Sequence, residues 1–116
     1  MNYTEKQIDT IALQVMKDID WPYNIKKGPS SFETTIEEQY EKYKKIDGFE
    51  ENKHKIFAFW VTSFEFPEEE GWNGRNMMFI LTRDDNGEPY EVGHRQSKFK
   101  ILKNEDGKYY TEPLKR

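Results

Sequence analysis

Residues 76–103 read NMMFILTRDDNGEPYEVGHRQSKFKILK, and this stretch decides the fold. Residues 76–82 are apolar and typical of a strand. The segment Asp84-Asp85-Asn86-Gly87 follows them, and Asn-Gly accepts the positive φ angles that a tight hairpin turn requires. Residues 90–95 and 98–103 predict a third strand and either its continuation or a fourth strand. The stretch therefore indicates a meandering antiparallel sheet.

The sheet is expected to extend on both sides of this stretch. Residues 55–66 (KIFAFWVTSFEF) carry apolar side chains at both odd and even positions, so on both faces of the strand. This pattern is typical of a strand covered on both faces or bent by a bulge. Residues 109–111 predict a short edge strand. Gly93 lies inside a predicted strand, where glycine often marks a bulge. We expect about four strands in all.

The N-terminal segment predicts a helix. Thr4 and Gln7 have the spacing of a capping box, and Pro22 pushes the residue before it out of the helical region. The apolar residues recur at helical spacing and form one stripe: Ile8, Ile11, Ala12, Val15, Met16 and Ile19. Residues 22–35 are expected to form a loop. Residues 35–46 predict a short second helix, with a strand as the alternative.

This order of elements favours one α+β domain over residues 1–116, with the first helix packed on the meandering antiparallel sheet. Only 34% of the residues are hydrophobic, but 16% are aromatic. Each ring can bury about 150–250 Å², so a few large side chains can supply a small core beneath a polar surface.

The cysteine content and the charge distribution favour some cellular compartments and partners over others. The chain has no cysteine and no apolar N-terminal run that would serve as a signal peptide, which favours the cytoplasm and no membrane. The net charge is −4: residues 1–91 are acidic, whereas residues 92–116 carry a net +4. Either the basic strands pair beside acidic ones, or the acidic portion faces a basic partner.

No arrangement of residues indicates catalysis. Serines occur outside any nucleophile-elbow context, and the two histidines, His54 and His94, lack the spacing of metal ligands. The adjacent carboxylates lie in predicted turns and on predicted helix faces, where both members of a pair are solvated. We therefore expect no catalytic residues, no metal and no cofactor.

One predicted loop has the composition of a binding site. It places Glu68, Glu69 and Glu70 beside Trp72, with Arg75 three residues further on. Tryptophan is enriched among interface hot spots, and the glutamates would attract a cationic partner. These five residues are the predicted partner-binding site. Alternatively, Trp72 folds back over the sheet edge and the glutamates keep that edge soluble.

Two further hypotheses concern the C-terminal half. The first is a small-ligand-binding or weakly catalytic, cone-shaped α+β domain of the NTF2-like or cystatin-like kind, whose pocket between the first helix and the sheet would have Tyr90, His94 and Arg95 near its mouth. Binding of single-stranded nucleic acid is suggested by the rings and lysines that alternate in residues 98–103 and 108–110. The overall acidity and the ordinary alternation of a two-faced strand make nucleic acid the weaker hypothesis.

Residues 79–101 (FILTRDDNGEPYEVGHRQSKFKI) resemble small bacterial immunity proteins of polymorphic-toxin systems. Several such families have a helix followed by an antiparallel sheet, of the cystatin-like or NTF2-like kind. They carry a hairpin like the one formed here by Asp84-Asp85-Asn86-Gly87-Glu88-Pro89. The resemblance implies an intracellular inhibitor that occludes the active site of a cognate toxin, and it carries over no catalytic residues.

Overall fold

A computed structural model of the chain describes residues 2–45, 56–66, 77–94 and 97–114. This part of the chain forms two helices and one antiparallel sheet, in which the strand order equals the chain order. The helices are α1 (Glu5–Ile19) and α2 (Ile36–Tyr43). The strands are β1 (Ser30–Thr34), β2 (Phe59–Glu65), β3 (Met77–Arg83), β4 (Pro89–His94), β5 (Ser97–Lys103) and β6 (Tyr109–Pro113).

Helix α1 begins and ends at the predicted signals. The Gln7 backbone N–H donates to Thr4 Oγ1 at 3.2 Å, and the Thr4 N–H donates to the Gln7 side chain at 2.8 Å, so the capping box is complete. The helix stops at Asp20, which adopts the left-handed conformation with φ 58°. Asp tolerates that region better than most residues do. The predicted apolar stripe faces the sheet, and four of its members are buried: Ile8, Ala12, Val15 and Met16.

The sheet bends around α1. The Asp9 carboxylate accepts a hydrogen bond from Ser31 on β1, and the Asp18 carboxylate accepts one from the Tyr109 N–H on β6. The two carboxylates are separated by about 13–14 Å of helix axis, whereas six flat strands would span about 24 Å. The backbone of α1 comes near both edge strands, β1 and β6, as well as β2 and β4. The face toward α1 is therefore concave and the outer face is convex.

The core lies between α1 and the concave face. It contains Phe64 and Met78, which pair across β2 and β3, together with Ile80 and Val92. Trp21 and Tyr23, which follow α1, close this layer together with partly buried rings from the sheet. Among the described residues, the buried cluster is therefore mostly aliphatic and methionine side chains around Phe64, and the other rings of this layer pack against it partly buried.

The estimate of about four strands is too low, since the sheet has six. The missing strand is β1, which lies in the segment expected to be a loop. Its pairing with β2 places Ser31 opposite Thr62, and Ser31 is buried there while the apolar Phe32 faces outward. A strand that buries a serine and exposes a phenylalanine lacks the usual apolar alternation.

The second helix is confirmed as α2, whose N-cap Thr35 accepts a hydrogen bond from the Glu38 N–H. The predicted bulge at Gly93 is wrong. Gly93 pairs regularly with Phe79 and Lys98, and the irregularity lies between Leu81 and Thr82 instead. The cause is Pro89 on the facing strand, which has no N–H to donate to the strand pairing.

The N-terminus is fastened to the turn between β3 and β4. The buried Asp84 carboxylate accepts hydrogen bonds from the backbone N–H groups of Asn2 (2.7 Å) and Tyr3 (3.2 Å) and from Trp60 Nε1 (2.9 Å). The Tyr3 ring lies so close to Gly87 that a Cβ atom there would come within 2.6 Å of it. Gly87 also has φ +71°, so both conformation and space favour glycine at this position of the turn.

The first stability prediction concerns the buried hydroxyl group of Thr82. Thr82 is fully buried, and its Oγ1 has no hydrogen-bond partner among the described residues. We expect Thr82→Val to raise the free energy of unfolding by roughly 1 kcal/mol, because it removes an unsatisfied polar group at nearly constant volume. Urea denaturation measures this change.

Thr62→Val is the matched control for Thr82→Val. Thr62 is equally buried, but its Oγ1 lies 2.7 Å from Ser31 Oγ in a hydrogen bond. The control should therefore destabilise the protein by about 1 kcal/mol. Equal effects of the two substitutions would contradict the assignment of Thr82 as the unsatisfied group.

Candidate functional site

The convex outer face of the sheet carries an apolar patch. Phe32, Val61 and Leu81 are consecutive partners across β1, β2 and β3, and Phe79 lies two residues from Leu81 on the same face. Phe32 is 52% exposed and Phe79 is 41% exposed, while Val61 and Leu81 are half-buried. We call these four residues the outer patch. Phe32 and Phe79 lie on the same face with β2 between them, and two exposed phenylalanines on one sheet face are a feature that a monomer's own fold does not require.

The same cross-strand row becomes charged beyond β3. Leu81 pairs with Glu91 on β4, Glu91 with Lys100 on β5, and Lys100 with Glu112 on β6. Opposite charges on neighbouring strands stabilise the pairing. This row of the outer face is thus apolar over β1–β3 and charged over β4–β6, whereas the next row places Leu102 beside Tyr110, which is 41% exposed.

The predicted partner-binding residues Glu68, Glu69, Glu70, Trp72 and Arg75 lie outside the described residues, so their placement stays a prediction. Glu65 at the end of β2 pairs with Met77 at the start of β3, and the predicted residues lie between these two positions in the sequence.

The two described residues of the predicted pocket, Tyr90 and His94, lie on the same strand but in different clusters. The Tyr90 ring packs against Phe57, with centroids 5.6 Å apart, and the Arg83 guanidinium lies 3.9 Å above the same Phe57 ring. Burial, together with the charge of Glu91, raises the pKa of Tyr90 to about 12. Tyr90 therefore remains a neutral phenol at physiological pH.

His94 lies on the helix side of β4, surrounded by rings. It stacks on Phe99 at 5.7 Å and meets the edges of Trp21 at 4.8 Å and Phe66 at 6.0 Å. These contacts are those of a packed aromatic cluster. Arg95 lies outside the described residues. No contact among the described residues brings Tyr90 and His94 to one cavity, and the ligand-pocket alternative stays a prediction.

Two open grooves occur on the helix side of the molecule. The larger, of about 660 Å³, lies between the outer surface of α1 and residues 20–25. The smaller, of about 430 Å³, continues from Gln14 and Lys17 to the turn between β5 and β6. Neither is lined by Tyr90 or His94.

The alternation of rings and lysines in β5 follows the two faces of the strand. Phe99 packs into the core against Trp21, while Lys98 and Lys100 pair with residues of the outer face. Tyr109 of β6 likewise packs against the core. Phe99 and Tyr109 are therefore used in packing, whereas Tyr110 is 41% exposed on the outer face, and nucleic-acid binding stays a prediction.

Within the described ranges, no group of three or more histidine, aspartate or glutamate side chains is placed to hold a metal ion. The helices of those ranges are also too short or too polar to cross a bilayer.

The outer patch was missed by the sequence reasoning. Phe32 lies in a polar segment that was expected to be a loop, and Phe79 lies in a strand whose two faces are both apolar. The β-favouring residues Phe32 and Thr34 were the available signal for β1, but only the pairing register shows that Phe32 and Phe79 share one face. Comparison of the chain with known protein families, with curated proteins and with solved structures finds no match.

Proposed function

We propose that this chain is a protein-binding domain that inserts its convex outer sheet face into a cleft of another protein. The observation that carries the proposal is the outer patch, in which Phe32 and Phe79 are about half exposed on the face that α1 leaves open. Burying exposed apolar area is the main source of affinity at protein interfaces, and aromatic residues contribute most to it.

The predicted acidic loop extends this surface. Glu68, Glu69 and Glu70 with Trp72 and Arg75 lie in the sequence between β2 and β3, two strands that contribute to the outer patch. An apolar centre flanked by acidic residues suits a partner whose cleft is lined by basic side chains. Clefts that bind nucleic acid or phosphorylated substrates have this character.

The partner class that fits these features best is a basic toxin domain. The chain would then be an immunity protein that neutralises its cognate toxin by occluding the active site. The resemblance of residues 79–101 to immunity proteins supports this role, and so does the acidic net charge of residues 1–91. Occlusion of an active site requires only complementary shape and charge.

The test is affinity capture with the immobilised chain and substituted variants. We expect Phe79→Ser and Phe32→Ser each to weaken partner retention at least about tenfold, since each removes an exposed ring from the contact. Leu13→Ser is the matched control, because Leu13 is a similarly exposed apolar residue on the outer surface of α1. Equal loss of partner retention in Leu13→Ser would contradict docking through the outer patch. Unchanged retention in both phenylalanine variants would contradict it as well.

The immunity role has its own readout. Cells that express a toxin-like reading frame adjacent to the gene of this chain should survive when the chain is co-expressed and should die with the Phe79→Ser variant. Trp72→Ala combined with neutralised Glu68, Glu69 and Glu70 tests the loop separately. Full protection by that variant would remove the loop from the binding surface.

A further inference from the structure

The larger groove on the helix side is lined by a very exposed apolar side chain. Leu13 of α1, Trp21, Pro22 and Ile25 all line this groove. Ile25 is 81% exposed, the most exposed of the large hydrophobic residues in the described part of the chain. Leu13 is 37% exposed. An apolar ridge therefore lies directly beside an apolar groove.

The ridge is held in a fixed position. The Asn24 N–H donates to Glu65 O at 2.8 Å, the Gly28 N–H donates to Asn24 O at 3.1 Å, and the Lys26 N–H donates to Asn24 Oδ1 at 3.1 Å. Lys27 also forms an ion pair with Glu65 at 3.1 Å. Because the turn is tied to itself and to β2, Ile25 is presented to solvent without the conformational freedom that binding would otherwise have to remove.

We infer that this surface binds a second copy of the chain, with Ile25 of each copy seated in the groove of the other. In a two-fold dimer the same surface meets itself, so a ridge and a groove side by side are self-complementary. The two Ile25 side chains would lie next to each other between the two α1 helices. Each would contact Leu13 and Trp21 of the opposite copy.

Three charged side chains lie around the groove. Lys17 and Asp20 line it near the end of α1, and Lys26 follows the ridge residue Ile25. None of the three has an ion-pair partner among the described residues. In the two-fold arrangement, Lys26 of one copy approaches Asp20 of the other, the pairing occurs twice, and Lys17 opposes part of this attraction. Only one ridge residue of each copy enters the groove, so we expect a weak dimer with a dissociation constant of about 10 µM to 1 mM.

Sedimentation equilibrium over protein concentrations up to about 1 mM measures the dimer. The wild-type chain should change from monomer to dimer mass within this range. Ile25→Asp should raise the dissociation constant about a hundredfold or more, because two apolar contacts per dimer are lost and a charge is placed in each groove. Its fold is unaffected, since Ile25 is exposed, and circular dichroism checks this.

The matched control is Ile36→Asp, which changes an exposed isoleucine on α2 away from the groove and should leave the dimer intact. The inference is overturned if the wild-type chain stays monomeric, if the dimer persists in Ile25→Asp, or if Ile36→Asp dissociates to the same extent.

A second pair of variants tests the charges. Lys26→Glu should weaken the dimer through repulsion by Asp20, and adding Asp20→Asn to it should restore part of the affinity.

This dimer is independent of the proposed function. The groove lies on the outer surface of α1, whereas the outer patch lies on the opposite side of the sheet. Loss of dimerisation in Ile25→Asp with retained partner capture therefore separates the two surfaces.

Discussion

Phe64→Ala is expected to lower the free energy of unfolding by about 3–5 kcal/mol, the largest stability effect of any single substitution proposed. Phe64 is fully buried, and its ring centroid lies 5.0 Å from that of Tyr23. The side chain lies in the cluster that includes Met16 of α1 and Met78 of β3. Truncation to alanine removes buried apolar surface and packing contacts. It also leaves a cavity, because a tightly packed interior relaxes only partly. Urea denaturation followed by circular dichroism measures the loss.

Phe79→Ala is the matched control for Phe64→Ala. Both residues are phenylalanines of neighbouring strands in one sheet, but Phe79 lies on the outer face and is 41% exposed. Its truncation should cost less than about 1 kcal/mol. If Phe79→Ala were as destabilising as Phe64→Ala, the outer face would be part of a core and not an open surface. Should Phe64→Ala fail to fold, Phe64→Leu gives a smaller loss of the same sign.

Asp84→Asn is expected to destabilise the protein by about 2–3 kcal/mol at neutral pH. Asp84 is 4% exposed and accepts hydrogen bonds from Asn2, Tyr3 and Trp60. An amide presents one oxygen and one N–H₂ group to these three donors, so at least one buried donor faces another donor. The substitution also loosens the N-terminal residues from the β3–β4 turn.

The effect of Asp84 depends on pH in a defined direction. Burial alone would raise the pKa of Asp84, but the hydrogen bonds from Asn2, Trp60 and Tyr3 outweigh it and hold the pKa below its ordinary value. A carboxyl group with a lowered folded-state pKa contributes stability above the unfolded-state pKa of about 4, and this contribution is lost as the pH falls through the folded-state value. The difference between wild type and Asp84→Asn should therefore shrink below about pH 4.

Asp85→Asn is the control for this pH dependence. Asp85 is the adjacent carboxylate, and it forms an exposed ion pair with Arg83 at 2.7 Å. Its hydrogen bond with Arg83 lowers its pKa as well, yet solvent screens a surface pair, so the unfolding midpoint should hardly change. A difference between wild type and Asp84→Asn that stayed constant from pH 7 to about pH 3 would contradict the role of the ionised carboxylate.

The elements with strong local signals were predictable from sequence. The capping box at Thr4 and the apolar stripe behind it predicted α1, and both are present. The Asp84–Gly87 turn predicted the hairpin between β3 and β4, and Gly87 has the positive φ that such a turn requires. In each case the decisive contacts lie within a few residues along the chain, so the local sequence carries them.

The features that depend on distant partners were not predictable. Ser31 in β1 is stable as a buried polar residue because Asp9 and Thr62 form hydrogen bonds with it, and these residues are 22 positions before it and 31 after it. The outer patch depends on the register that places Phe32 on the same face as Phe79. The exposed ridge at Ile25 appeared in the sequence only as an isolated aliphatic residue in a polar loop.

Thiol labelling gives the most direct test of the outer face as a docking surface, because the chain has no cysteine of its own. Single cysteines would replace Ser30 and Lys98, which lie in the same cross-strand row as Phe79, and Gln14, which lines the grooves on the helix side. The measurement is the rate of maleimide labelling with and without the protein that the wild-type chain captures. We expect the partner to slow labelling at Ser30→Cys and Lys98→Cys and to leave Gln14→Cys unchanged. Slower labelling at Gln14→Cys alone, or at none of the three, would contradict docking through the outer face.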